Sequence, residues 1–312
     1  MTTSVYCKLA DFGVIRFSGA EAQAFLHNQL TCDVGELTTG RSTYGSYCTP
    51  KGRVLATFLL WRTGGEYFMQ LPVLLREPIQ KQLSKYILRA KVQASDASSE
   101  WNLLGIAGKD SQEVVRRAIG VAPNAVHEVA QAPDAMVVKF PGERYEIVAS
   151  KEKTQAVRDS LASGSEMADP EYWDWLDIRA GIPTILPATQ EAFVPQMLNL
   201  DLIGGVSLTK GCFPGQEIVA RMHYRGTLKQ RMYLANIPGT EAPQPGDKLY
   251  SPGFGEQACG TIVNAARSQE GGHNVLAVIQ IASVEKGDVR WKAPGGLALR
   301  FMPLPYSVSV PG

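Results

Sequence analysis

Between residues 101 and 162 the chain alternates in an order that few folds accommodate. Trp101 to Ala107 is rich in strand formers, Ser111 to Ile119 has helical periodicity, and Thr154 to Ala162 is helical again. Between the two helices, Met136 to Phe140 and Tyr145 to Ala149 flank the turn Pro141-Gly142-Glu143. The order is β-α-β-β-α, and one further strand completes a ferredoxin-like layer of helices on an antiparallel sheet. The expected class is therefore α+β.

The flanking segments extend this reading. Val14 to Phe17 reads as a strand, and Ser18 is placed to cap a helix from Ala20 to about Leu30. Two β-rich runs, Tyr44 to Cys48 and Val54 to Trp61, are joined by Thr49-Pro50-Lys51-Gly52-Arg53, and Glu66 to Leu71 adds a strand. Pro78 to Arg89 is predicted helical. Asp169 can cap a helix with Pro170 at its first position, running to about Arg179. After Arg225-Gly226 come short runs (Arg231 to Ile237, Lys248 to Tyr250, Gly260 to Asn264, Val275 to Ile281, Leu297 to Phe301) between Gly- and Pro-rich turns. That spacing predicts a small β-barrel or sandwich. The expected division is an α+β region over 1–225, built of two intertwined subdomains, and a β-barrel domain over 226–312.

Composition removes several function classes. With 31 basic and 30 acidic residues, net charge +1, no global field steers the chain onto nucleic acid or anionic lipid. The five cysteines are scattered without a Cys-x-x-Cys pair, so neither a disulfide framework nor a metal site is expected, and a reducing cytoplasm fits best. No window approaches the roughly 20 apolar residues of a membrane span. One basic run has aromatic interleaving: Arg221-Met222-His223-Tyr224-Arg225, then Lys229 and Arg231. It reads as an anion-holding stretch, as the contact of a direct tRNA-binding protein, or as a solvated face.

The residues that carry chemistry lie in Lys210-Gly211-Cys212-Phe213-Pro214-Gly215-Gln216-Glu217. Lys210 stands two residues before the Cys212 thiol, where a positive charge favours the thiolate. A helix starting near Gly215 to Glu217 would add its N-terminal dipole. The alternative is a tight turn with a small buried thiol. The four histidines, His27, His127, His223 and His273, carry no nucleophile motif. Glu217 and Arg221 stand four apart, an ordinary helical ion pair.

The octapeptide resembles the signature of the YgfZ-type folate-binding proteins, relatives of the glycine-cleavage T-protein: Lys-Gly-Cys-aromatic-x-Gly-Gln-Glu. Ala180-Gly181-Ile182-Pro183, Phe193-Val194-Pro195-Gln196, Asn199-Leu200 and Gly204-Gly205-Val206-Ser207 precede it in the family's order, and Val219-Ala220-Arg221 and Arg225-Gly226 follow it. The resemblance implies a T-protein-like folate-binding fold, with folate in a central channel, ferredoxin-like layers and a C-terminal small β-barrel. It also implies tetrahydrofolate or a one-carbon derivative as cofactor. The implied role is an accessory one supporting iron-sulfur enzymes, such as a radical tRNA-thiolating enzyme, with tRNA affected only indirectly and no membrane partner. Cys212 and Lys210 are then the reactive pair. Trp173 and Phe12 are aromatic faces for the folate rings, Gln216 and Glu217 are loop or pterin contacts, and Arg221 is a contact for the glutamate tail. Core packing for Trp173 and an ion pair for Glu217 remain open beside these. In the aminomethyltransferases the first hairpin carries aspartates; here Ala56 and Thr57 stand at those positions, which argues against aminomethyl transfer. Arg179 replaces the glutamate found before Ala-Gly in many relatives.

Overall fold

The computed structural model describes residues 4–224 and 228–308. The expected boundary at Arg225-Gly226 lies outside them. The chain divides into two compact units, each drawn from separate stretches: Met1–His27, Asp33–Thr43 and Phe58–Trp173 in the first, Asn28–Cys32, Tyr44–Thr57 and Asp174–Gly312 in the second.

In the first unit, the β-α-β-β-α segment folds as its pattern predicts. Strands Trp101–Ala107, Arg144–Ser150 and Ala135–Phe140 pair antiparallel, and helices Ser111–Ile119 and Thr154–Ala162 cover one face. Val114, Val115, Val157 and Leu161 from the helices meet Leu104, Ile106, Val137, Tyr145 and Ile147 from the sheet. Each large aliphatic side chain buried there contributes about 1.5–3 kcal/mol. The closing strand is Ser165–Met167, but it does not join Trp101–Ala107 directly. Strand Ser4–Lys8 lies between, antiparallel to Trp101–Ala107 and parallel to Ser165–Met167. Val129–Ala132 forms the opposite edge.

A second antiparallel array in this unit sets Phe12–Ser18 between Glu66–Pro72 and Gln93–Asp96. The helix that follows is Val73–Ser84 rather than Pro78 to Arg89. Its buried face is Leu75, Ile79 and Leu83, spaced by one turn, so burial of Leu75 draws the helix start upstream and leaves Pro78 inside it. The residues after Ser84 turn instead of continuing, with Tyr86 N–H donating to Leu83 O and Ala90 N–H to Ile87 O. The predicted helix start at Ala20 also shifts, to Ala22–Gln29.

In the second unit six strands run in the order Arg290–Trp291, Lys248–Tyr250, Ala258–Arg267, His273–Gln280, Gln230–Ile237, Arg300–Met302. The two edges are joined by one stretch of chain. Leu299 N–H donates to Val289 O and Trp291 N–H to Leu297 O, Arg290 bridges Ala298, and the same stretch runs on into Arg300–Met302 against Gln230–Ile237. The two edges thereby meet through this stretch and the sheet curls into a small barrel. Its interior is apolar: Ile237, Leu249, Ile262, Val275, Ile279, Val289 and Trp291.

Candidate functional site

The octapeptide forms a loop leading into helix Gln216–Tyr224. Gly215 has φ +82°, and a methyl group built on it would stand 2.5 Å from Gly52 Cα and N and 2.6 Å from the Thr49 carbonyl oxygen. Glycine is thus required twice over, by conformation and by space. Gly52, at φ +70°, answers it from the turn Thr49 to Arg53, so the first hairpin's tip and the helix start are clasped backbone to backbone. Gln216 N–H donates to Phe213 O at 3.0 Å and Val219 N–H to Gly215 O at 3.2 Å.

The upstream motifs brace this arrangement. Buried Gln196 donates its Nε2 to Val219 O at 2.6 Å. Arg231 donates to Gln196 O at 2.7 Å and grips Asp201 with both terminal nitrogens, at 2.7 and 3.0 Å. Asn199 Nδ2 donates to Met232 O at 2.9 Å, and Thr31 Oγ1 to Gly205 O at 2.7 Å. Arg231 is therefore a buried structural cation, 5% exposed, and leaves the basic stretch with which the sequence groups it. Of that stretch, residues 225–227 lie outside the described residues.

On this frame Cys212 is exposed, whereas Cys7, Cys32, Cys48 and Cys259 are buried. Burial pushes the Cys48 thiol up to about 12 and also raises Cys259, so those two are poor nucleophiles. Lys210 is largely buried and sets its Nζ 5.2 Å from the centroid of the Phe213 ring, a cation–π contact that fixes the loop on the N-terminal side of the thiol. Gln216 is half-buried, and Glu217 and Arg221 are exposed on the same helix.

The hairpin strand below the clasp has no carboxylate. Ala56 is fully buried and Thr57 is 6% exposed. The Thr57 hydroxyl accepts the Ile185 N–H at 3.0 Å, and Leu55 O accepts from Gln190 Nε2 at 2.8 Å. Arg179 is half-buried with its guanidinium 5.9 Å from the Trp175 ring centroid.

The remaining candidates belong to the first unit. Trp173 is 2% exposed. It meets Phe140 edge-on at 5.5 Å, carries the Arg144 guanidinium 4.3 Å from its ring centroid, and lies so close over Gly105 that no side chain fits there. Its ring is thus packed among Phe140, Arg144 and Gly105. Phe12 is half-buried at the start of strand Phe12–Ser18, opposite Pro72. Sequence reasoning passed over Glu146. This carboxylate is fully buried on the strand face opposite the helices and accepts from Gln70 Nε2 at 3.0 Å. The signal for it was present: one acid inside the apolar run Arg144-Tyr145-Glu146-Ile147-Val148-Ala149. Among the described residues no cluster of metal-ligating side chains occurs.

Comparison with known proteins agrees with this geometry. The family described as GCVT N-terminal domain matches residues 4–169. Proteins named tRNA-modifying protein YgfZ, from Sodalis glossinidius and from Yersinia pestis, are each 31% identical over 306 and 307 residues, covering 96% of this chain and 92% of theirs. The crystal structure of glycine cleavage system aminomethyltransferase T from Bartonella henselae superposes with a TM-score of 0.81 at 16% identity, covering 97% of this chain and 86% of that one. The T-protein fold is therefore present without close sequence kinship to the transferase, and by its full-length identity to the curated proteins the chain belongs to the YgfZ family of GCVT-domain proteins.

Proposed function

We propose that the protein is a cytoplasmic, reduced-folate-binding accessory factor that supports iron-sulfur enzymes and thereby affects tRNA modification indirectly. The observation that carries this reading is the pairing of one exposed, braced thiol at Cys212 with a hairpin whose proton-handling positions are Ala56 and Thr57. A fold built to hold folate keeps its frame, lacks the transferase's acids, and presents a sulfur nucleophile. Thiolate sulfur binds soft metals and exchanges sulfur, which a hydroxyl does not do at neutral pH.

The residues present fit a pterin. Its aminopyrimidine edge offers adjacent N–H donors that suit a carboxylate, and Glu146 is a carboxylate held away from water with one oxygen oriented by Gln70. Glu217, exposed on its helix, is the alternative acceptor. Tetrahydrofolate or a one-carbon derivative is the ligand class; where Glu217 is the acceptor, Gln216 and Arg221 are proposed as the contacts beside it on the same helix, with Lys210 steadying the Cys212 loop.

Calorimetric titration with freshly reduced tetrahydrofolate tests the cofactor, and Glu146→Gln is expected to weaken binding at least about tenfold while Glu217→Gln weakens it less. Cys212→Ser is expected to retain folate binding and lose support of iron-sulfur enzymes and tRNA thiolation in a deletion strain. Full activity of Cys212→Ser at native abundance, or absence of any reduced-folate binding, would overturn the reading.

A further inference from the structure

The barrel register puts two basic residues on the core-side face of their strands at one end, His273 buried and Arg267 exposed at the rim. Ala235, Ile237, Val275 and Ala277 belong to the barrel core, and Ala265 packs against it. Arg267 stands directly opposite His273, and His273 directly opposite Ile237. Residues opposed across a ladder share a face. Arg267 also lies two residues beyond Ala265, and His273 two before Val275, so strand alternation gives the same result. At this last rung before the hairpin Ser268 to Gly272, a plain core would take aliphatic residues, as Ile237 shows.

A cavity of about 750 Å³ opens there, walled by Gly239, Thr240, Arg267, Ser268, Gly272 and His273 among others. His273 is only 8% exposed, and its Nδ1 has no hydrogen-bond partner among the described residues. Buried polar atoms are normally paired, so this nitrogen marks a position that protein groups do not serve. Thr240 and Ser268 are hydroxyl residues of the same wall, the Ser268 Oγ accepting the Glu270 N–H at 3.1 Å. The hairpin's own carboxylate, Glu270, walls the neighbouring hollow with Asn236 and Arg300 instead.

We propose that this barrel mouth binds the phosphate group of a small ligand, with Arg267 and His273 as principal donors and the Ser268 and Thr240 hydroxyls beside them. Barrel mouths are recurrent ligand sites. A guanidinium, an imidazole and hydroxyls approaching from different strands suit a tetrahedral oxyanion, whereas a planar carboxylate is served by an Arg fork alone. The site is additional to folate binding and to the Cys212 loop.

The test uses the full chain, titrated with inorganic phosphate and separately with glycerol phosphate at constant ionic strength in chloride, followed by calorimetry and phosphorus NMR. Saturable binding is expected for both. Arg267→Met, at an exposed position, should weaken it about tenfold or more with the unfolding midpoint read alongside, and His273→Gln should do the same where it folds. Absence of saturable phosphate binding, equal affinity in Arg267→Met, or malonate binding as tightly as phosphate would overturn the assignment.

Discussion

Gly215→Ala is expected to destabilise the second unit by about 2–5 kcal/mol, a sum of two separable parts. Gly215 sits at φ +82°, where an L side chain costs about 1–2 kcal/mol. The new methyl would also stand 2.5 Å from Gly52 Cα and N and 2.6 Å from Thr49 O. Those are backbone atoms, so the hairpin turn must move, and overpacking of this kind costs about 1–3 kcal/mol. Gly204 supplies a matched control in the same unit, with φ +79° and nothing within 4 Å of a built methyl. Gly204→Ala therefore carries only the conformational part. Equilibrium urea unfolding of both variants, read at the midpoint with unchanged slope, measures the difference. A thiol-modifying disulfide reagent, applied under native conditions, should meanwhile react faster with Cys212 in Gly215→Ala, because the clasp that orders its loop is loosened. Equal losses in the two variants, within about 0.5 kcal/mol, would show that the Gly215–Gly52 approach is not a packed contact.

Three further outcomes are expected. Native protein should present one thiol equivalent to the same reagent and five after denaturation, since Cys212 alone among the five cysteines is exposed. Arg231→Met should cost about 2–4 kcal/mol in urea unfolding, because it leaves the partly buried Asp201 without its bidentate partner and removes the donor to Gln196 O, whereas Arg290→Met at the surface pair with Asp288 should stay within about 1 kcal/mol. Burial, with the Arg41 charge as a lesser cause, lowers His127 from 6.5 to about 4. The folded state thus holds the neutral ring, and the stability this contributes is present above pH 6.5 and lost as pH falls toward 4. His127→Asn, which tolerates the local φ of +66°, should flatten that part of the pH profile, and an unchanged slope would refute the assignment.

What was legible in the sequence followed from period and turn chemistry. The 101 to 162 alternation carried its own register, because Val114, Val115, Val157 and Leu161 could face only one sheet. The Asp169 cap held, its Oδ1 accepting the Glu171 N–H at 3.0 Å. The insertion of Ser4–Lys8 beside Trp101–Ala107 was not legible, since pairing across about a hundred residues leaves no local trace. The helix at Val73–Ser84 is read too far downstream from the apolar spacing of Ile79, Leu83, Tyr86 and Ile87, because the burial of Leu75 sets its start one turn earlier. At the site, the glycines and Cys212 could be picked out from residue type alone. The engagement of Trp173 with Arg144 and Gly105 could not, nor could the capture of Arg231 by Asp201, because both depend on which distant strands lie opposite.

The hairpin explains why the chemistry proposed for this chain sits at a surface loop. A carboxylate at residue 57, only 6% exposed, would need a partner or a ligand to repay its desolvation. Thr57 instead places a neutral oxygen where the Ile185 N–H requires an acceptor, and Ala56 fills the next position with a methyl. This arrangement leaves the hairpin interior uncharged, with the Thr57 oxygen already committed to the Ile185 N–H. The clasp at Gly52 and Gly215 holds that same hairpin against the helix start, and the braces from Gln196 and Arg231 run through the segments that precede Cys212. The frame is therefore spent on positioning one loop. A thiol presented at the surface of such a frame can be reached by a macromolecular partner without entry into an enclosed pocket, as the accessory role proposed above requires.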